Sequence, residues 1–100
     1  MRAKSPAQVA HDLGARDLLS LVGDVCRRRG IARAELLGRI RTQSVSRARQ
    51  ELWWLLRHDP ERHYSLLEIA RLFGRDHATI AAGLAAHLRR RPRAIGGEPR

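Results

Sequence analysis

At 100 residues the chain has the length of one small domain, and its hydrophobic fraction of 43% is ordinary for a globular protein. Its formal net charge of +10 is not ordinary: 20 lysine and arginine residues stand against 10 acidic ones, and Lys4 is the single lysine. This balance favours a polyanionic partner, above all nucleic acid, over a membrane surface or an acidic protein.

Several protein classes are excluded by what the sequence lacks. With Cys26 as its single cysteine, the chain has no disulfide framework and no cysteine-based zinc site. No apolar run approaches the ~20 residues of a membrane-spanning helix, and the N-terminus lacks the hydrophobic region of a signal peptide. We therefore expect a cytoplasmic, nucleoid-associated protein with no membrane partner.

The sequence pattern in the first part of the chain predicts an arm followed by two helices. Residues 1–12 show no sustained periodicity and are predicted to form a flexible N-terminal arm ahead of a domain at 13–91. A helix begins near Ala15 and ends at Gly30, a predicted left-handed cap that follows three arginines. A short second helix near residues 34–37 ends at Gly38.

A basic loop, residues 38–44, leads to the third predicted helix, which Ser44 is expected to cap and which runs to about His58. Its apolar surface extends far around the helix, which is typical of a central helix packed on two sides. Trp53 and Trp54 point ~100° apart on such a helix. One is therefore expected in the core, while the other is either covered by the chain itself or docks a partner.

The last two predicted helices are joined by a short turn. Ser65 and Glu68 form a capping-box signature that opens the fourth helix, and the fifth begins near Asp76 and stops at Pro92. Residues 92–100 are predicted to be a disordered basic tail. We therefore expect an all-α fold, a small helical bundle of about five helices.

A glycine turn between two amphipathic helices is the helix-turn-helix arrangement, in which the second helix meets the DNA major groove end-on. Asp76 is suited to cap that helix and to accept from a cytosine amino group. His77 is suited to donate to a base acceptor, and Ala78 and Thr79 to approach a thymine methyl. Gly83, one turn beyond Thr79, is expected to permit close backbone approach.

Blander interpretations of these residues remain open. Asp76 could be a helix cap alone, His77 could be a core histidine on the apolar stripe, and Gly83 could be neutral.

From Leu21 to about Leu88 the chain resembles the C-terminal helix-turn-helix domain (domain IV) of the bacterial chromosomal replication initiator DnaA. The resemblance rests on Glu35-Leu36-Leu37-Gly38, Ser44-Val45-Ser46-Arg47-Ala48-Arg49-Gln50, Ser65-Leu66-Leu67-Glu68-Ile69 and Arg75-Asp76-His77-Ala78-Thr79. It implies sequence-specific binding of double-stranded DNA at origin boxes, and hence a role in DNA replication initiation or its regulation.

The resemblance also implies roles for single residues. Arg47 would enter the minor groove, Gln50 would face the major groove with the signature residues, and Arg39 and Arg41 would follow the phosphates. The full expected DNA-binding set is Arg39, Arg41, Arg47, Gln50, Arg75, Asp76, His77, Ala78, Thr79 and Gly83.

The chain departs from the family pattern in its turn and its reading edge. Gly74 stands alone where the family usually has two glycines, Ala78 replaces a residue that is often Thr or Ser, and the loop at 59–64 is longer. The chain also has no G-x-x-x-x-G-K-[ST] phosphate loop, so no ATP binding is expected and the chain would be a stand-alone domain rather than an initiator.

Two other functions remain as alternatives. The chain could be a protein-interaction factor that engages replication proteins through Trp53 and Trp54, or a module of a larger system such as a transposase. It carries no catalytic motif, and its histidines lack metal-ligand spacing. We therefore expect no enzyme activity, no cofactor and no metal site.

Overall fold

The structure, a computed structural model, describes residues 4–91, which form six helices and no strand. The helices are α1 (Pro6–Ala15), α2 (Leu19–Arg29), α3 (Arg33–Leu37), α4 (Gln43–Arg57), α5 (Leu66–Phe73) and α6 (His77–Arg90). The all-α class is confirmed, with one helix beyond the five expected. None of these helices is long and apolar enough to cross a bilayer. The predicted tail at 92–100 lies outside the described residues.

The additional helix is α1, which begins at Pro6. The prediction of a flexible arm at 1–12 is therefore wrong for most of that segment. Ser5 caps the helix, its hydroxyl accepting from the backbone N–H three residues on at 3.1 Å, and Pro6 occupies the first helical position. Val9 and Leu13, four residues apart on one face, are fully buried in the core. The segment is therefore an integral part of the domain.

α4 is the central helix, as its wide apolar surface predicted, and it packs against α2, α3, α5 and α6. Its cap is Thr42, whose hydroxyl accepts from the backbone N–H of Val45 at 3.4 Å. Ser44 lies inside the first turn, so its predicted role as the cap is wrong. Trp53 is buried in the core, where its ring meets Phe73 edge-on at 6.0 Å.

The predicted capping chemistry of the helix-turn-helix is present. The Ser65 hydroxyl accepts from the Glu68 N–H at 3.1 Å, and the Glu68 carboxylate accepts from the Ser65 N–H at 2.8 Å. Gly74 ends α5 in the left-handed region with φ +64°, as Gly30 ends α2 with φ +65°. Asp76 then caps α6. Local hydrogen bonds therefore fix both ends of the turn.

At Gly83, α6 lies close against α4. A Cβ placed there would lie 2.6 Å from Cζ3 and 2.7 Å from Cε3 of the Trp53 ring. Gly83 therefore permits close approach between two helices of the protein. The neutral interpretation is also wrong, since a side chain does not fit there without a shift.

The N-terminal segment braces the turn of the helix-turn-helix from behind. A Cβ on Gly74 would lie 2.7 Å from the backbone nitrogen of Lys4. The Lys4 ammonium donates to the Asp12 carboxylate at 2.5 Å and to the Leu72 carbonyl at 3.3 Å. The hydrogen bond from Lys4 lowers the pKa of Asp12 below its ordinary value. The lone glycine of the turn thus fits against Lys4 as well as adopting a positive φ.

Candidate nucleic-acid interface

A shallow groove runs between α4 and α6 and is closed at one end by the loop that precedes α4. Its lining residues are Arg41, Ser46, Arg49, Gln50, Trp53, Arg75, Thr79, Ala82, Gly83 and Ala86. The groove therefore brings together expected site residues from three separate parts of the chain: the loop, the central helix and the recognition helix.

Arg49 lies buried at the bottom of this groove, and it is not among the residues that the sequence predicts to bind DNA. It is 3% exposed, and its guanidinium donates to the carbonyls of Leu36 (2.9 Å), Glu35 (2.9 Å) and Gly38 (2.7 Å). Burial lowers the pKa of Arg49 to about 10, with a further contribution from neighbouring arginines, so it stays charged at neutral pH. Its charge satisfies the orphan carbonyls at the end of α3.

A signal for Arg49 was present in the sequence. Arg49 lies four residues after Val45 and three before Leu52, both of which are buried, so it shares the inward face of α4. That periodicity places the side chain inside the protein.

Arg75 connects the recognition motif to the basic loop. Its guanidinium donates to the Gly38 carbonyl at 2.9 Å, the same oxygen that accepts from Arg49. Burial lowers the pKa of Arg75, and the charges of Arg39 and Arg41 lower it further. The loop arginines are therefore close neighbours of the turn that leads into α6.

The first turn of α6 presents an exposed polar edge. The Asp76 carboxylate accepts from the Thr79 backbone N–H at 3.0 Å and from the Thr79 hydroxyl at 2.8 Å, and these bonds lower the pKa of Asp76. His77, Ala78 and Thr79 are all exposed. The interpretation of His77 as a core histidine is therefore wrong.

The expected cationic residues fall on two sides of Gln50. Arg39 and Arg41 are exposed on the loop beside Arg75. Arg47 is half-buried on α4 and lies near Arg90, whose guanidinium donates to the Gln50 side-chain oxygen. The structure thus separates Arg47 from the loop arginines.

The second tryptophan is covered by the chain itself. Trp54 stacks on His58 with ring centroids 4.0 Å apart, the His87 ring centroid lies 5.4 Å from that of Trp54, and the Arg91 guanidinium lies 4.7 Å from it. Trp54 is half-buried as a result.

Within residues 4–91, no group of three or more His, Cys, Asp or Glu side chains is arranged to hold a metal ion.

Comparison with known families gives one match. The family model described as the bacterial dnaA protein helix-turn-helix matches residues 20–86, from the start of α2 into the last turns of α6. α1 lies outside the matched range. No curated protein and no solved structure gives a significant match.

Proposed function

Because this chain belongs to the bacterial DnaA helix-turn-helix family, it is a DNA-binding domain, and we propose that it reads a specific duplex sequence through both grooves. The observation that carries the proposal is the groove between α4 and α6. There the exposed first turn of the recognition helix lies beside the basic loop, and the Gly38 carbonyl at the start of that loop accepts hydrogen bonds from both Arg49 and Arg75.

In this proposal the first turn of α6 reads base edges in the major groove. The Asp76 carboxylate is held by Thr79 and keeps lone pairs free to accept from a cytosine amino group. The exposed His77 imidazole donates to a purine acceptor, and the methyl groups of Ala78 and Thr79 contact thymine. Gln50 borders the same groove from α4 and presents its amide to the adjacent base pair.

We assign the minor groove to Arg41 rather than to Arg47. The minor groove is about 6 Å wide, so an arginine on an extended loop can enter it whereas the body of a helix cannot. Arg41 lies on such a loop, whereas Arg47 lies on α4 beside Arg90. Arg39 and Arg47 then contact phosphates, which set the register on the duplex without reading sequence.

Two further members of the expected set act by positioning the others. Arg75 shares the Gly38 carbonyl with Arg49, so it fixes the distance between the loop and the recognition helix. Gly83 sets the crossing of α6 over Trp53 and makes no DNA contact in this proposal.

Selection of bound duplexes from a random pool, followed by fluorescence-anisotropy titration, tests this function. His77→Ala should lose about 1–3 kcal/mol of discrimination at one or two base pairs. Arg41→Ala should relax a preference for A·T pairs next to the base pairs that His77 reads. Arg47→Ala should weaken binding to all duplex sequences alike and reduce the slope of log affinity against log salt concentration by about 0.9.

Arg71, exposed on α5, supplies the control, since Arg71→Ala removes the same charge from another surface. A protein that binds no duplex at low salt would disprove the proposal. Equal relaxation of the A·T preference by Arg41→Ala and Arg47→Ala would disprove the division of roles between these two arginines.

The family also supports a role at replication origins. We propose that the selected site is an origin-type box and that the protein is associated with the nucleoid. Chromatin immunoprecipitation should recover such boxes with the wild-type protein and lose them with Thr79→Lys, which places a long charged side chain on the reading edge.

A further inference from the structure

A second cationic surface lies beyond Gln50, where side chains from three helices meet. We call it the convergent-arginine surface, and its members are Arg28, Arg29, Arg47, Arg89 and Arg90. Arg28 and Arg29, at the end of α2, each donate to the Glu51 carboxylate of α4 at 2.6 Å. Burial lowers the pKa of Arg90, and the charges of Arg47, Arg29 and Arg89 lower it further.

The charges of this surface are not balanced within the described part of the chain. Glu51 is the carboxylate that its arginines bond, and the Glu51 side chain is only 15% exposed because Arg28 and Arg29 cover it. Arg90 instead donates to the neutral amide of Gln50. Such repulsion opposes folding, and an anion placed over the surface relieves it.

The position of the surface indicates which anion it accepts. Gln50 lines the recognition groove on one side and bonds Arg90 on the other, so the two surfaces meet at this residue. A duplex seated in the groove therefore passes the convergent-arginine surface. A phosphodiester backbone supplies one negative charge per nucleotide along that path, which matches arginines spread over three helices.

We propose that the convergent-arginine surface binds the phosphate backbone of the same duplex, beyond the base pairs read by α6, and so lengthens the DNA site on one side. The proposal rests on the proposed function, since it concerns how far the bound DNA extends. It assigns a role to the arginines at the ends of α2 and α6, which make no DNA contact in the proposed function above.

A truncation series of the selected duplex, shortened one base pair at a time from either end, tests this extension. For the wild-type protein, affinity should fall in a step when one flank is removed. For Arg29→Gln/Arg90→Gln the step should be absent, because its phosphate contacts are already lost. Each lost contact contributes up to about eightfold in affinity at 0.1 M salt relative to 1 M, and the salt slope should fall by about 1.8 for the two.

A matched control removes the same charge from a different surface. Arg16→Gln/Arg71→Gln alters the α1–α5 side, where both residues border the Lys4–Asp12 pair. This variant should keep the wild-type truncation step and salt slope. Arg29→Gln/Arg90→Gln removes exposed contacts of small energetic value, and thermal unfolding monitored by circular dichroism verifies that it folds.

The outcomes separate this proposal from the proposed function. If the wild-type protein selects no duplex, the proposed function fails. If it binds but the two double variants give the same truncation step and salt slope, the extension is disproved. Hydroxyl-radical footprinting of the wild-type protein gives an independent result: backbone protection should pass the base-specific site on one side, and protection that ends with that site overturns the proposal.

Discussion

Replacement of Gly83 by alanine tests whether the contact between α6 and α4 requires a glycine. Alanine in a helix interior is favoured over glycine by about 1 kcal/mol. The new methyl group, however, would lie 2.6 Å from Trp53 Cζ3, and Trp53 is 4% exposed and packed against Phe73. Overpacking of this kind costs about 1–3 kcal/mol, so Gly83→Ala should lower the free energy of unfolding by up to about 2 kcal/mol.

Gly23→Ala is the matched comparison, because Gly23 lies in the middle of α2 and its methyl would meet only the far end of the Arg27 side chain, at 3.3 Å. This variant should raise the unfolding free energy by about 1 kcal/mol. The difference between the two alanine variants removes the helix propensity and leaves the cost of the Trp53 contact, about 1–3 kcal/mol.

Urea denaturation followed by tryptophan fluorescence measures both values, provided that the slopes agree with the wild-type slope. A Trp53→Leu background provides the second half of a double-mutant cycle, and in it Gly83→Ala should become neutral or stabilising. If Gly83→Ala stabilises the wild-type protein as much as Gly23→Ala does, the close crossing of α4 and α6 is not a constraint and the reasoning is refuted.

Three other substitutions probe the supports of the interface. Arg49→Met should cost about 3 kcal/mol in urea denaturation, because it leaves buried carbonyls without donors; an effect no larger than that of the exposed Arg71→Met would contradict this. Burial lowers the pKa of His87 below 6.5, so the unfolded chain binds its proton more readily and stability falls as pH drops below that value. His87→Gln should reduce this pH dependence in thermal melts, and identical slopes would show that His87 does not contribute. Asp76→Ala should lower the unfolding free energy by about 1 kcal/mol through loss of the α6 cap, whereas Asp76→Asn should retain most of it, and thermal denaturation in DNA-free buffer separates the two.

Short-range chemistry made much of the helix-turn-helix predictable from the sequence. Ser65, Gly74 and Asp76 act on backbone groups within three or four residues, so their roles depend little on the rest of the fold. The same kind of signal was present for α1, where Ser5 precedes Pro6. That signal alone does not predict the helix, because only two fully buried side chains, Val9 and Leu13, mark the inner face of α1, and their burial depends on helices far along the chain.

The parts of the interface that depend on tertiary contacts were not predictable. The periodicity of α4 places Arg49 on the inward face, but its hydrogen bonds depend on the carbonyls that the end of α3 brings to its guanidinium. The surroundings of Gln50 likewise depend on the way α6 packs on α4, since Arg90 donates to Gln50 and Thr79 lines the same groove as Gln50. A glycine inside α6 is unusual from the sequence alone, but the reason for it, the Trp53 ring, lies on another helix.

The brace between Lys4 and the turn has a practical consequence for attaching probes to this protein. The Lys4 backbone lies against Gly74, which is two residues before the cap of α6. A group joined just ahead of Lys4 therefore starts next to the end of α6 that we propose reads DNA. A group joined after α6 starts about 21 Å away, at the rise of 1.5 Å for each of its 14 residues. Dyes at these two positions would therefore respond unequally to a labelled duplex, and the difference would give the direction in which α6 enters the groove.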